Sequence, residues 1–151
     1  MLAARAWQLL ERVTAPAGAV FLFGAHAYTG VGRVLLATGG PERSEALRLP
    51  VRDAARRAGW WEALAASELL LGLCAEACGD RDGARPALTR AAEIADEHGI
   101  PAPGWEAHLA LARLVEDPTV HLTAAETIVE RILAGVKDAT LRDSLRERAT
   151  S

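Results

Sequence analysis

Lysine is nearly absent from this sequence, and residues that favour β-strands are few. The 151 residues include a single lysine, Lys137, together with one tyrosine and two phenylalanines. Alanine, leucine, arginine and glutamate dominate instead, and all four are good helix formers, whereas aromatic and β-branched residues favour strands. No segment shows a convincing alternation of apolar and polar residues, which marks a half-buried strand. The composition therefore predicts an all-α protein.

Charge and cysteine content also exclude some classes of protein. The net charge is −3, so the basic surface expected of a nucleic-acid-binding domain is not predicted. Cys74 and Cys78 lie four residues apart on one predicted helix, and we interpret both as reduced, buried side chains of a cytoplasmic protein. Charged and polar residues interrupt residues 2–13, which argues against a signal peptide. Residues 15–38 are apolar but contain His26 and Arg33, which favours a buried helix over a membrane span.

A repeat of forty residues is visible in the glycines. A glycine just after an apolar helical run commonly adopts the left-handed conformation that ends a helix. A glycine inside a helix instead indicates a close contact with a neighbouring helix. Under a shift of forty residues the aligned positions are Gly39 with Gly79, Gly59 with Gly99, and Gly32 with Gly72 and then Ala112.

These helix ends and the apolar periodicity predict one domain, residues 1–151, with about eight helices. A leading helix covers residues 2–14 and a C-terminal cap helix covers residues 138–148. Between them we predict three antiparallel helical hairpins, at about residues 20–58, 60–98 and 103–134. Asp82 is the predicted N-cap of the second helix in hairpin two. Thr123 and Glu126 are predicted to form a capping box in hairpin three.

The segment from Leu70 to Gly99 resembles a tetratricopeptide repeat. The resemblance implies a tetratricopeptide-like α-solenoid, a stack of hairpins in which the first helix of each pair lines a concave face. It is carried by Leu71 and Gly72 in the first helix and by Ala84, Leu88 and Ala91 in the second.

The composition and the regular succession of predicted helices over most of the chain also resemble the helical-repeat C-terminal region of large bacterial regulators. These include LuxR-type transcription factors with an ATPase core and related signalling ATPases. The resemblance implies a non-catalytic regulatory segment that binds a protein or peptide and contacts neither nucleic acid nor a membrane. A small-molecule sensor, with its ligand between helices near residues 24–33, is the alternative.

No motif in the sequence predicts catalysis, a cofactor or a metal ion. The four histidines, at positions 26, 98, 108 and 121, show none of the i, i+3 or i, i+4 pairs that build helical metal sites. No serine lies in a nucleophile elbow. The glycines at positions 24, 30 and 32 lack the lysine that ends a phosphate-binding loop. We therefore predict no catalytic residue, no metal ligand and no cofactor.

The resemblance and the forty-residue register together place a set of polar side chains on the concave face. We predict that these residues bind the partner or ligand. They are His26, Thr29 and Arg33 from hairpin one, Glu76 from hairpin two, and Glu106, Arg113 and Glu116 from hairpin three.

The leading helix and the tryptophans raise separate expectations. Leu2, Trp7 and Leu10 contribute to apolar rows on the leading helix, and one of these rows has no evident neighbour in the chain. This predicts a homodimer or a place in a longer helical array. Trp60 and Trp61 are adjacent and cannot face the same way on a helix, so one is a predicted core anchor and a ligand-stacking role stays open for the other.

Overall fold

The computed structural model describes residues 22–41 and 52–149. These residues form seven helical segments and no strand, which confirms the all-α prediction. The leading helix, with Leu2, Trp7 and Leu10, lies outside the described residues, as does the predicted helical stretch 42–51. The segments are α1 (Leu22–Ala37), α2 (residues 52–58), α3 (Trp61–Ala77), α4 (Arg81–His98), α5 (Pro101–Ala112), α6 (Thr119–Gly135) and α7 (Ala139–Ala149).

Each of the helices α1 to α4 is followed by a glycine, and the four ends have the same geometry. Gly39, Gly59, Gly79 and Gly99 have φ between 65° and 82°, and they are the residues with positive φ in the described part of the chain. They follow one another at intervals of twenty residues. After each glycine, the next amide donates to the carbonyl five residues earlier, at 2.7 to 2.9 Å. This bond satisfies a carbonyl that the ending helix leaves unpaired, so the predicted role of these glycines is confirmed.

Two predicted helix starts are wrong. The N-cap of α4 is Asp80, whose Oδ1 accepts a hydrogen bond from the Gly83 amide at 2.9 Å. Because the chain re-enters a helix directly after Gly79, Asp82 already lies inside the first turn. In α6, Thr123 lies inside the helix, which begins at Thr119, so Thr123 and Glu126 form no capping box.

The helices pack in an order that brings distant segments together. Each of the consecutive pairs α3–α4, α4–α5 and α5–α6 is in contact, and α3 also packs against both α1 and α5. The core contains mainly alanine and leucine side chains, which allow the helix axes to approach closely. One cluster joins Leu35, Ala55, Leu64 and Ile94, and a second joins residues of α3, α4 and α5 around Leu88.

The end of α5 is held by two arginines of α4. The Arg81 guanidinium donates to the carbonyl of Arg113 at 3.0 Å, and that of Arg85 donates to the carbonyl of Leu114 at 3.2 Å. Carbonyls at a helix C-terminus lack partners within the helix and carry partial negative charge. These two contacts therefore satisfy the end of α5 and fix it against the start of α4.

Gly72 is the point of closest approach between α3 and α4. A Cβ atom built on Gly72 would lie 2.4 Å from Cγ of Leu88 and 3.2 Å from the Leu88 backbone nitrogen. Leu88 is completely buried, so its side chain has no free space into which to move. The small residue that the repeat register places at position 72 is thus required by helix packing.

We expect Gly72→Ala to lower the free energy of unfolding by about 1–3 kcal/mol, because an extra methyl group must push α3 away from Leu88. Urea denaturation followed by circular dichroism measures the loss. Gly30→Ala is the matched control, since a Cβ atom there meets nothing within 4 Å. In a helix interior that control should stabilise by about 0.5–1 kcal/mol. Equal effects of the two substitutions would contradict the close contact.

Candidate functional site

A groove runs between α1, α3 and α5. Its cavity has a volume of about 160 Å³. The floor is apolar and comes mainly from α3, through Ala66, Leu69, Leu70 and Leu73. Polar and charged side chains form the rim, namely Thr29 and Arg33 of α1, Glu62 of α3 and Glu106 of α5. We call this set of residues the α1–α3–α5 groove.

An ion pair crosses the groove from one wall to the other. The Arg33 guanidinium of α1 contacts the Glu106 carboxylate of α5. These two helices each pack against α3 but not against one another, so the pair bridges the space above the apolar floor. The side chain of Arg33 is 51% exposed and that of Glu106 is 29% exposed. Such an ion pair contributes little to stability, and its charges remain accessible to another molecule.

A second ion pair joins the C-terminal ends of α3 and α5. Nε and Nη2 of Arg113 donate to the two carboxylate oxygens of Glu76, at 2.9 and 2.8 Å. The hydrogen bond to Glu76 raises the pKa of Arg113. Two parallel bonds between a guanidinium and a carboxylate fix both distance and orientation. This pair therefore sets the spacing of α3 and α5 at one end of the groove.

The seven residues predicted on the concave face do not all come together. Thr29, Arg33 and Glu106 meet at the α1–α3–α5 groove, and Glu76 and Arg113 meet each other. Glu116 lies exposed in the connection between α5 and α6, because α5 ends at Ala112. His26 belongs to α1, and its side chain is outside the described part of the structure.

Sequence reasoning did not identify a second and larger groove, between α5, α6 and α7. Its volume is about 510 Å³. Trp105 and Leu109 line one side, while Leu122 and Val129 line the other, and Arg146 of α7 reaches its edge. Both apolar pairs have helical spacing, four residues in α5 and seven in α6. This spacing is the signal in the sequence for an apolar helix face, but it is the same for residues that line an open groove and for residues of a filled core.

Sequence reasoning also did not identify a cluster of Asp96, His108 and His121. Nε2 of His108 lies 3.2 Å from Oδ2 of Asp96, and its Nδ1 lies 3.1 Å from Nδ1 of His121. Burial lowers the pKa of His121, and the neighbouring His108 lowers it further. The three residues come from α4, α5 and α6 in turn. A search for histidine pairs within one helix could not find a contact made between helices.

In the adjacent tryptophan pair and in the cysteine pair, one member packs in or against the core and the other is exposed. Trp60 packs against the core cluster around Leu64, as predicted for one member of the adjacent pair. Trp61 is 42% exposed and stacks on the His98 ring, with centroids 4.4 Å apart. Cys74 is buried but Cys78 is exposed. The prediction of two buried cysteines is therefore wrong for Cys78, which follows the last residue of α3.

Two further observations concern only the residues that the structure describes. Within ranges 22–41 and 52–149, no three or more histidine, cysteine, aspartate or glutamate side chains are grouped so that they could hold a metal ion. None of the helices described is both long enough and apolar enough to cross a membrane.

Comparison with known proteins gave no match to the chain, whether against family models, curated proteins or solved structures. The functional proposal below therefore depends on the geometry of the described residues and on the pattern of the sequence.

The Glu76–Arg113 pair should be measurable by a double-mutant cycle. Glu76→Gln and Arg113→Gln, singly and together, should give a coupling energy of about 1 kcal/mol or less in urea denaturation, because the pair is partly exposed and solvent screens it. The coupling should fall further in 1 M salt. No coupling at low ionic strength would contradict the bidentate contact. Arg90 and Glu93, an exposed pair within α4, are the control cycle.

Proposed function

We propose that this chain is a non-catalytic, tetratricopeptide-like interaction module that binds a segment of a partner protein in the α1–α3–α5 groove. It would act in the cytoplasm as the helical-repeat segment of a bacterial transcriptional or signalling regulator. The observation that carries the proposal is the groove itself, an apolar floor from one helix crossed by an accessible ion pair between its two neighbours.

The packing order supports an α-solenoid of stacked antiparallel hairpins. In such a stack, the first helix of each hairpin packs on the first helix of the next, and the second helices lie behind them. The contacts of α3 with α1 and with α5 follow this order, and α4 packs on both α3 and α5. Left-handed glycines at intervals of twenty residues give successive connections the same local geometry. The first helices would then be α1, α3 and α5, which are the helices that line the groove.

The chemistry of the groove suits a peptide that carries both apolar and charged side chains. Leu69 and Leu70 are buried, whereas Ala66 and Leu73 are partly exposed and offer a small apolar surface, which a partner's side chains could cover. Arg33 and Glu106 already pair with each other, so a partner can replace either one without leaving a buried charge unpaired. The exchange of ionic partners would give specificity for a charge pattern more than additional affinity.

The α1–α3–α5 groove is small for the ligand of the sensor alternative, whose expected position near residues 24–33 lies partly outside the described side chains. Sites for small organic ligands usually measure roughly 300–1,000 Å³, and this cavity is about 160 Å³. The groove between α5, α6 and α7, at about 510 Å³, falls within that range. If the chain is a sensor, its ligand should therefore contact Trp105 and Leu109 rather than Arg33.

Self-association remains a prediction from the sequence. The apolar rows that include Leu2, Trp7 and Leu10 would be buried in a homodimer or against further helices of a longer chain. Light scattering on the wild-type chain and on Trp7→Glu tests this, with a shift toward monomer as the expected result.

Charge reversal tests the proposed groove. Arg33→Glu places two carboxylates opposite each other, and we expect it to weaken binding of the partner at least tenfold while helicity is unchanged, since exposed charge changes cost little stability. Isothermal titration with a purified partner segment measures the dissociation constant. The double variant Arg33→Glu with Glu106→Arg should restore the ion pair across the groove, with the two charges exchanged. The partner's charged groups would then face charges of the opposite sign from those in the wild type.

Arg90→Glu is the matched control, because Arg90 is an exposed arginine whose partner is Glu93 on the same helix. It should leave the dissociation constant unchanged. Equal weakening by both reversals would indicate a general charge effect and contradict the groove. A metabolite that raises the melting temperature of wild type and of Arg33→Glu, but not of Trp105→Ala, would establish the sensor alternative.

A further inference from the structure

Three side chains form a continuous chain of polar contacts across the interior of the helix stack. His108, on α5, is the middle member and its side chain is only 8% exposed. Asp96 of α4 contacts one ring nitrogen of His108, and His121 of α6 contacts the other. The carboxylate of Asp96 and part of the His121 ring reach the surface. A buried polar group is thereby connected to solvent on both sides.

The orientation of the two rings identifies the contact as a hydrogen bond. The ring centroids are 5.4 Å apart and the facing Nδ1 atoms are 3.1 Å apart. The rings therefore meet end to end rather than face to face, and each facing nitrogen points toward the other. A neutral histidine has one nitrogen that donates and one that accepts. One proton, and only one, can lie between the two Nδ1 atoms.

The carboxylate determines where the remaining protons lie. Asp96 accepts from Nε2–H of His108, so Nδ1 of a neutral His108 is an acceptor, and Nδ1–H of His121 donates to it. A first additional proton can bind Nε2 of His121 without disturbing either contact. A second additional proton must bind Nδ1 of His108. Both facing nitrogens would then carry hydrogen, and two cations would be in contact.

The other charged groups around the cluster do not relieve this conflict. On α6, Arg131 lines a cavity together with Asp96 and adds positive charge on that side. On α3 and α5, Glu76 is engaged by Arg113, and Glu106 by Arg33. Arg81 and Arg85 of α4 bind carbonyls beyond the end of α5. Asp117, in the connection to α6, accepts from the Thr119 amide. Asp96 is the carboxylate in contact with the histidine pair.

We propose that Asp96, His108 and His121 form a proton-responsive joint that holds α6 against α5, and that protonation of both histidine rings releases α6. Because the two facing Nδ1 atoms have room for one proton between them, the step that matters is the addition of the second proton. Since α6 carries the contacts of α7, the release would loosen the C-terminal part of the described chain and open the groove that contains Trp105 and Leu109.

The pH dependence of the first proton follows from the direction of the His121 pKa shift. Burial and the charge of His108 place the pKa of His121 in the folded chain below its ordinary value of 6.5. The unfolded chain therefore binds this proton more readily than the folded chain. The stabilising contribution is complete above about pH 6.5, and it decreases as the pH falls toward the lowered pKa. Over that interval, the unfolded chain binds up to one proton more than the folded chain. The equilibrium constant for unfolding therefore increases by up to about tenfold for each unit by which the pH falls.

The test compares stability profiles of three chains between pH 7.5 and pH 5. Wild type should lose stability in urea denaturation as the pH falls below 6.5. His121→Gln should show a much flatter profile, because the glutamine amide can donate to His108 but cannot take up a proton. His98→Gln is the control, since His98 is an exposed histidine stacked on Trp61, and it should keep the wild-type slope. The same slope in wild type and His121→Gln, or a slope lost in His98→Gln, overturns the proposal.

A measurement on the unaltered chain covers the case in which His121→Gln does not fold. Histidine ring resonances and amide hydrogen exchange are followed together through the same pH range by nuclear magnetic resonance. His121 should titrate below pH 6.5, and amides of α6 should lose protection relative to amides of α4 only at a lower pH, where the second proton binds the pair. If His121 titrates at its ordinary value, or if α6 and α4 lose protection in parallel, the joint does not exist.

Discussion

The close contact between Gly72 and Leu88 sets the position of α3, and the other helices are arranged around α3. With no side chain at position 72, α4 approaches α3 until a leucine touches the backbone of its neighbour. α3 also contacts both α1 and α5, and its contact with α5 belongs to the same core cluster as Leu88. A larger residue at position 72 would displace α4 and, through the arginine contacts of α4 with the end of α5, would disturb α5 as well.

The groove follows from that arrangement rather than from any unusual local structure. α3 lies between α1 and α5 but does not fill the space above it, so Leu69, Leu70 and Leu73 are left as an apolar floor. The charges at the rim come from the two flanking helices and meet across the gap. Leu69 lines this groove and also belongs to the core cluster around Leu88, so the floor and the contact with α4 are continuous. The rim residues Arg33 and Glu106 lie outside that cluster.

The helices could be predicted from the sequence because their signals are local. A left-handed glycine and an apolar period depend on neighbours within one or two turns, so Gly59 and Gly99 were assigned correctly. The starts of α4 and α6 were misplaced because several carboxylates and hydroxyls near each start can cap a helix. Asp80 and Asp82 have the same side chain, and the preceding turn decides between them, because it leaves Asp80 outside the helix and Asp82 inside it.

The contacts of the candidate sites depend on helix packing, which local patterns do not encode. Arg33 and Glu106 were both predicted on one face, and they meet at the same groove, although the forty-residue register aligns Arg33 with Leu73 and Arg113 instead. The contact of His108 with His121 has no signal in the register, because it joins two consecutive helices, α5 and α6. Glu116 was predicted on the concave face of hairpin three, but it lies in the connection that follows α5, which ends at Ala112. Longer-range pairings of this kind require the geometry of neighbouring helices.

The equal spacing of the left-handed glycines also has an evolutionary consequence. Because Gly39 and Gly79 leave their helices in the same conformation, a repeat unit of forty residues in the proposed stack would have interchangeable ends. Duplication or loss of one unit would join a helix to a turn that it already fits. A chain built in this way can change its length in whole units while each remaining helix keeps the neighbours for which its small residues were selected.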